Sequence, residues 1–382
     1  MPYEMISKAN LFTTHRPGLR DNKRQVYGLD GSWVAWRRPS NNADNSPSAV
    51  YLYGGIRRGG RSYYALDVSN LNAPKLKWQI TGGAGDFEKL GQTWSTPTLT
   101  QIPVGEDVLP VLVFGGGYSP ADHDRTENFD AEDRSTEDEM GNAIYIVNAQ
   151  TGDLVWSASG DDVASMKWAI PSSISVVDKN LDGAADHLYF GDLGGQVFRV
   201  DIDQSGDKNM AVHRLADFGG DDEDHRRFYE APAITYVKEG FNEFLSVAIG
   251  SGYRAHPKDK DIEEAFIVFN DENAFSNPSA PDEVLALSDL SEISRTGTEG
   301  ADTSKPGWFY KLNALDGEKS LSSPSVINGV VRFSSYSPVA SSNPDNPCAV
   351  SLGTSFIHTV ALKDGAPAAL NDGDVSSRSE EL

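Results

Sequence analysis

Four times along the chain, a short run of small or polar residues around a proline leads into an apolar strand. The runs are Trp94-Ser95-Thr96-Pro97, Ala169-Ile170-Pro171-Ser172, Glu230-Ala231-Pro232-Ala233 and Ser322-Ser323-Pro324-Ser325. After each comes an apolar stretch (111–117, 187–191, 244–252, 330–336) and then a further strand (143–148, 196–201, 265–270, 356–362). A partial earlier copy covers 49–55 and 61–67. A turn and an outer strand close one copy at Thr151-Gly152-Asp153-Leu154-Val155-Trp156, with counterparts at Lys75-Leu76-Lys77-Trp78 and Asp316-Gly317-Glu318-Lys319. A unit repeated in this way cannot cover its own faces, so copies stack radially around an axis. The predicted fold is therefore all-β, a propeller. Its prolines stand farther apart than one blade's ~40–45 residues, which assigns the excess to long inserted loops. The competing fold is a β-sandwich with irregular strands.

One loop carries chemistry. In residues 178–186, Asp178, Asn180 and Asp182 place an oxygen at every second position, Gly183 follows, Ala184 can offer its carbonyl and Asp186 closes the set. That is the ligand order of a calcium loop at positions 1, 3, 5, 7 and 9, with glycine at 6. A hard cation takes six or more oxygens, and alternating side chains in a tight loop deliver them from one side. Position 12 is Tyr189 and the flanks read as strands, so the loop is not a helix-flanked EF-hand. The same residue types also build a polar hairpin turn, which is the alternative.

Composition narrows the classes. A formal charge of −23 argues against nucleic-acid binding and opposes docking on anionic lipid. Cys348 is the only cysteine, so no intrachain disulfide or cysteine metal site can form. No run of 18 apolar residues is present to span a membrane. The start lacks an apolar signal core, and the balance of the argument favours a fragment whose export signal lies upstream. Residues 121–139 and 221–224 are dense in carboxylates and 271–305 form a long polar excursion; mobile, solvated loops are expected, with a weak second cation site as the lesser reading of the acidic runs. His256 is expected to cap a strand, Trp78, Trp94, Trp156 and Trp168 to pack blades, and Cys348 to be a small buried apolar residue.

Several phrases, in order from about residue 27 to 362, resemble a known family. They include Gly59-Gly60-Arg61-Ser62-Tyr63-Tyr64-Ala65-Leu66-Asp67-Val68, Gly91-Gln92-Thr93-Trp94-Ser95-Thr96-Pro97, Val113-Phe114-Gly115-Gly116-Gly117-Tyr118, Gly141-Asn142-Ala143-Ile144-Tyr145-Ile146-Val147, the 178–186 loop with Leu188-Tyr189-Phe190-Gly191-Asp192 after it, and Gly250-Ser251-Gly252-Tyr253-Arg254-Ala255-His256-Pro257. The series is similar to the C-terminal propeller of the PilY/PilC-type tip adhesins of bacterial type IV pili. That resemblance implies a modified quinoprotein-like propeller over 27–365 and an N-terminal extension or upstream remnant over 1–26; the polar composition of 366–382 makes it an expected disordered tail. It implies Ca2+ held by Asp178, Asn180, Asp182, the Ala184 carbonyl and Asp186, linked to pilus extension and retraction, twitching motility, surface attachment and virulence. The implied partners are major or minor pilins and a surface or host receptor. The implied location is the cell surface, at the pilus tip or outer membrane, after export through the periplasm. Relatives begin their propeller farther upstream, which leaves the first blade open to being incomplete here, and the Arg-Gly-Asp tripeptide of some relatives is absent.

Enzymatic readings find less support. Many quinone-dependent dehydrogenases with this fold phrase stack their cofactor on an adjacent-cysteine disulfide, which one cysteine cannot supply. No sialidase box, Gly-x-Ser-x-Gly elbow or phosphate-binding GxxxxGK[ST] loop occurs. The sequence is read as a non-enzymatic, calcium-binding propeller, with a quinone- or carbohydrate-active enzyme and a calcium-stapled scaffold as the alternatives.

Overall fold

The computed structural model describes residues 6, 27–39, 47–119, 137–276, 280–281, 283–339, 353–368 and 377–381. The chain divides into two compact units, Met1–His123 with Asp138–Ile174, and Asp124–Glu137 with Ser175–Leu382. The expected extension over 1–26 and Cys348 fall, apart from Ile6, outside the described residues.

The first unit holds two four-stranded antiparallel sheets. One runs β1 (Trp33–Arg38), β2 (Ala49–Gly55), β3 (Ser62–Asp67), β4 (Lys75–Thr81); the other runs β5 (Thr98–Val104), β6 (Asp107–Gly115), β7 (Ala143–Asn148), β8 (Leu154–Ser159). The copy read as partial is thus a whole sheet, because β1 supplies its first strand. Pro97 lies just before β5, a place where the missing N–H costs no ladder hydrogen bond. Trp78 ties the two sheets: its Nε1 donates to the Ala149 carbonyl at 3.2 Å, and a Cβ on Gly152 would meet its ring at 2.9 Å. The Thr151-Gly152 turn therefore needs glycine twice, for close approach and for its φ of +78°.

The second unit repeats the plan. Its first sheet is β9 (Ser175–Val177), β10 (His187–Gly191), β11 (Gln196–Asp201), β12 (Ala211–Asp217), and its second opens with β13 (Ala233–Glu239), β14 (Asn242–Gly250), β15 (Ala265–Asp271). The excursion after β15 is not a free loop where it is described. It lends β16 (Leu285–Ala286) in parallel to β12 and β17 (Ser291–Glu292) in parallel to β18 (Gly307–Lys311), the strand that completes the second sheet. The third sheet is built from β19 (Lys319–Ser320), β20 (Ser325–Ile327), β21 (Val330–Ser337), β22 (Thr354–Ala361) and β23 (Ser379–Glu381). Two expectations are corrected here. The Asp316–Lys319 phrase leads into the first strand of a new sheet, while β18 with Trp308 is the outer strand of the preceding one. The tail read as disordered contains β23, preceded by Arg378, which is 1% exposed and donates to the Gly365 and Ser294 carbonyls at 2.6 and 2.7 Å.

Trp308 copies the role of Trp78. Its Nε1 donates to the Leu362 carbonyl at 2.9 Å, and its ring lies 3.0 Å from where a Gly365 Cβ would stand. Three sheets also share a bulge between their last two long strands, after Ala65, Ile146 and Val197. One extra residue there increases the local twist. Among the described residues no helix is long and apolar enough to cross a membrane.

Candidate metal centre

The 178–186 loop is the connection between β9 and β10. Val177 pairs with His187 across its neck, and Asp186 N donates to the Val177 carbonyl at 2.8 Å. Within that neck the chain reverses through Leu181 (φ +60°) and Gly183 (φ +94°). A Cβ on Gly183 would meet nothing within 4 Å, so backbone conformation rather than space requires glycine.

Backbone donors organise the acidic side chains. Asp178 accepts from Gly183 N at 2.8 Å and from Asp182 N at 3.2 Å. Asn180 Oδ1 accepts from Asp182 N at 3.0 Å, and Asp182 Oδ1 accepts from Ala184 N at 2.8 Å. Asp186 is buried and accepts from Lys179 N at 2.7 Å. Asn180, Asp182 and Gly183 face solvent, whereas Ala184, Ala185 and Asp186 are buried. The loop thus has a fixed floor and an open rim.

In donor type, order and turn, these residues fit a hard cation. Their carboxylates are not drawn into a chelate: among the described residues no group of three His, Cys, Asp or Glu is arranged to hold a metal ion. Coordination would require the side chains of Asp178 and Asp182 to exchange some N–H contacts for the ion.

Tyr189 cannot serve as a twelfth-position ligand, because it is buried and its hydroxyl donates to Asp271 at 2.7 Å. Burial, and next the Asp271 carboxylate, push its phenol far above the ordinary range. Beneath the loop lies a charge network that sequence reasoning missed. His187 Nδ1 is 2.7 Å from Asp201, and its Nε2 is 3.0 Å from the Ala274 carbonyl. Arg199, with no exposure, donates to Asp201 at 2.7 Å and to Asp271 at 2.6 and 2.8 Å. Burial opposes its charge, but Asp271 and Asp201 overcome that and raise its pKa further. Lys179 Nζ reaches the same Ala274 carbonyl at 3.4 Å and lies 5.9 Å from the Phe275 ring centre. The members come from three strands and two loops; the only local signal is Arg199 and Asp201 on one face of β11.

Of the acidic runs, Glu137, Glu139, Asp221, Glu223 and Asp224 face solvent as expected, with Asp138 as the exception. Residues 121–136 lie outside the described residues, but Asp138 is buried and accepts from Ala169 N at 2.6 Å. In 221–224, Asp224 pairs with the buried Arg226 at 2.6 Å, and the carbonyl of Glu223 accepts from Glu263 N at 2.7 Å. His256 lies in a turn between β14 and β15, where its N donates to the Tyr253 carbonyl at 3.2 Å, rather than at a strand end.

Known proteins share this arrangement of sheets. The sequence profile of the PilY1 beta-propeller domain matches residues 14–224, more than half of the chain and the whole 178–186 loop. A type IV pilus biogenesis factor PilY1 homolog of Xylella fastidiosa is 23% identical over 92% of this chain, an alignment covering 23% of that relative. The type IV pilus biogenesis factor PilY1 of Pseudomonas aeruginosa is 29% identical over 40% of this chain and 11% of its own length. The chain thus spans about a quarter or less of these relatives. The crystal structure of the Pseudomonas aeruginosa PilY1 C-terminal domain superposes with a TM-score of 0.67 at 17% identity, covering 93% of this chain and 79% of that one. The likeness bears out the β-propeller fold.

Proposed function

The chain belongs to the PilY1 β-propeller family, and from that premise we propose that it is a non-enzymatic, calcium-binding propeller of a type IV pilus biogenesis factor. The ligands are the side chains of Asp178, Asn180, Asp182 and Asp186 with the Ala184 carbonyl. The observation that carries the reading is the backbone frame of the loop: Gly183 N on Asp178, inside a neck closed by Asp186 and Val177. When bound, calcium supplies the positive charge that lets three carboxylates share one loop. The loop's own residues set the register, and the pair Lys179 and His187 passes its position to the 274–275 segment. On this reading the propeller sits at the cell surface, at the pilus tip or outer membrane, and contacts pilins. Loop occupancy there biases pilus extension and retraction, and with them twitching motility and attachment.

Calorimetric titration with calcium after exhaustive chelation tests the reading, on the native chain and on Asp182→Ala. One saturable site in the native chain, lost or greatly weakened in the variant, is expected. Binding that survives the substitution moves the site elsewhere, and no binding in either ends the calcium reading. The pilus role is tested separately, by placing Asp182→Ala in the full-length protein and measuring piliation and twitching with and without calcium.

A further inference from the structure

The cleft beside the β13–β14 hairpin takes no part in the calcium loop. It encloses about 810 Å³ in the second unit, within the range of binding clefts. Phe244, Phe269 and Leu285 line it, and Phe241 stands at its rim, 104% exposed, on a turn fixed by Gly240 at φ +65°. Glu239, Glu243, Asp271, Glu272 and Glu283 line the same space against one ammonium, that of Lys305. Lys305 is already committed, donating to the Leu290 carbonyl at 2.7 Å and the Ser288 carbonyl at 3.3 Å. Glu239, Glu243 and Asp271 have cationic partners in Lys363, Lys238 and Arg199. Glu272 and Glu283 are exposed and have no ion pair among the described residues.

We propose that this cleft docks a partner protein through a segment presenting a lysine or arginine beside an apolar side chain. The concave, carboxylate-rich lining leaves two carboxylates unpaired, which favours a cation entering the cleft. An exposed aromatic ring at the mouth adds both apolar contact and attraction for that cation, the combination found where interface energy concentrates. A bare metal ion fits less well, because no three carboxylates here stand together as a chelating group among the described residues. Nucleic acid and anionic membrane carry the wrong sign.

Fluorescence anisotropy on the whole chain tests the proposal, with a labelled hexapeptide of alternating leucine and arginine and its leucine–glutamate counterpart as probes. Only the leucine–arginine peptide should bind. Phe241→Ala, and separately Glu272→Gln with Glu283→Gln, should each weaken it by about tenfold. Glu106→Gln with Asp107→Asn removes the same charge from the exposed β5–β6 turn and should change little. Equal loss in that control pair, no loss in the cleft variants, or no binding of the leucine–arginine peptide overturns the proposal. The peptide titrations are run in chelator without calcium, so this reading and the calcium reading fail independently.

Discussion

His187, the first residue beyond the nine-residue loop, places its Nε2 3.0 Å from the carbonyl of Ala274. The two are far apart in sequence, yet each is anchored in buried structure, His187 in β10 and Ala274 in the turn after β15. A change in the loop's neck is therefore felt directly in the segment that opens the long excursion.

If calcium orders the loop, amides of residues 273–276 should gain hydrogen-exchange protection on calcium addition together with those of 178–186. His187→Ala should abolish the gain at 273–276 and leave that at 178–186. Protection confined to the loop would show that the ion is a local staple and that His187 transmits nothing.

Gly183→Ala tests the turn without adding a clash, since its Cβ would enter open space. The cost is conformational, about 1–3 kcal/mol for a non-glycine residue held at such a φ. Thermal denaturation should show a modest loss of stability in the absence of calcium, and titration should show weaker calcium binding. Unchanged values in both would mean that the loop adopts another turn.

Arg199→Leu should be much more damaging. It leaves Asp271 buried with only the Tyr189 hydroxyl and its own turn to stabilise its charge, a loss of about 3–5 kcal/mol. Denaturant unfolding measures it, and Arg199→Leu combined with Asp271→Leu should recover part of the loss. Equal instability of the single and double variants would locate the cost in packing.

Glu318 sets an acid limit on the third sheet of the second unit. Burial alone would raise its carboxyl, but hydrogen bonds with His358, Arg295 and Ser335 hold it at about 2, against an ordinary 4.5. A depressed folded-state pKa stabilises fully above 4.5, and that contribution disappears as pH falls toward 2. Glu318→Gln should therefore unfold at lower temperature than the native chain near neutrality, with the gap narrowing between pH 4.5 and 2. A constant gap would mean the carboxylate's charge contributes little.

Strands that are buried along nearly their whole length were the most legible part of the chain. The expected limits of β7, β10 and β11 match the structure, because each has a short apolar stretch flanked by turn residues, which leaves little freedom in register. Polar segments were misread for the opposite reason. Residues 271–305 and 366–382 lack apolar periodicity, and the order of their described parts comes from partners elsewhere, such as Arg378 on the carbonyls of Ser294 and Gly365. Asp138 looked like one more surface carboxylate, though it satisfies a buried amide of a residue 31 positions away. The oxygen order of the 178–186 loop could be read directly because all of its donors are local. The network of Arg199, Asp201 and Asp271 could not, since only the sheet stacking brings it together.

The short parallel strands β16 and β17 lie at the ends of two neighbouring sheets. A bare sheet end is a template on which another chain can grow, and propagation of that kind leads to fibres. Here one excursion occupies two such templates at once, using only two residues at each. Residues 285–286 and 291–292 thereby cover part of two exposed edges, and their removal should appear first as turbidity at high protein concentration.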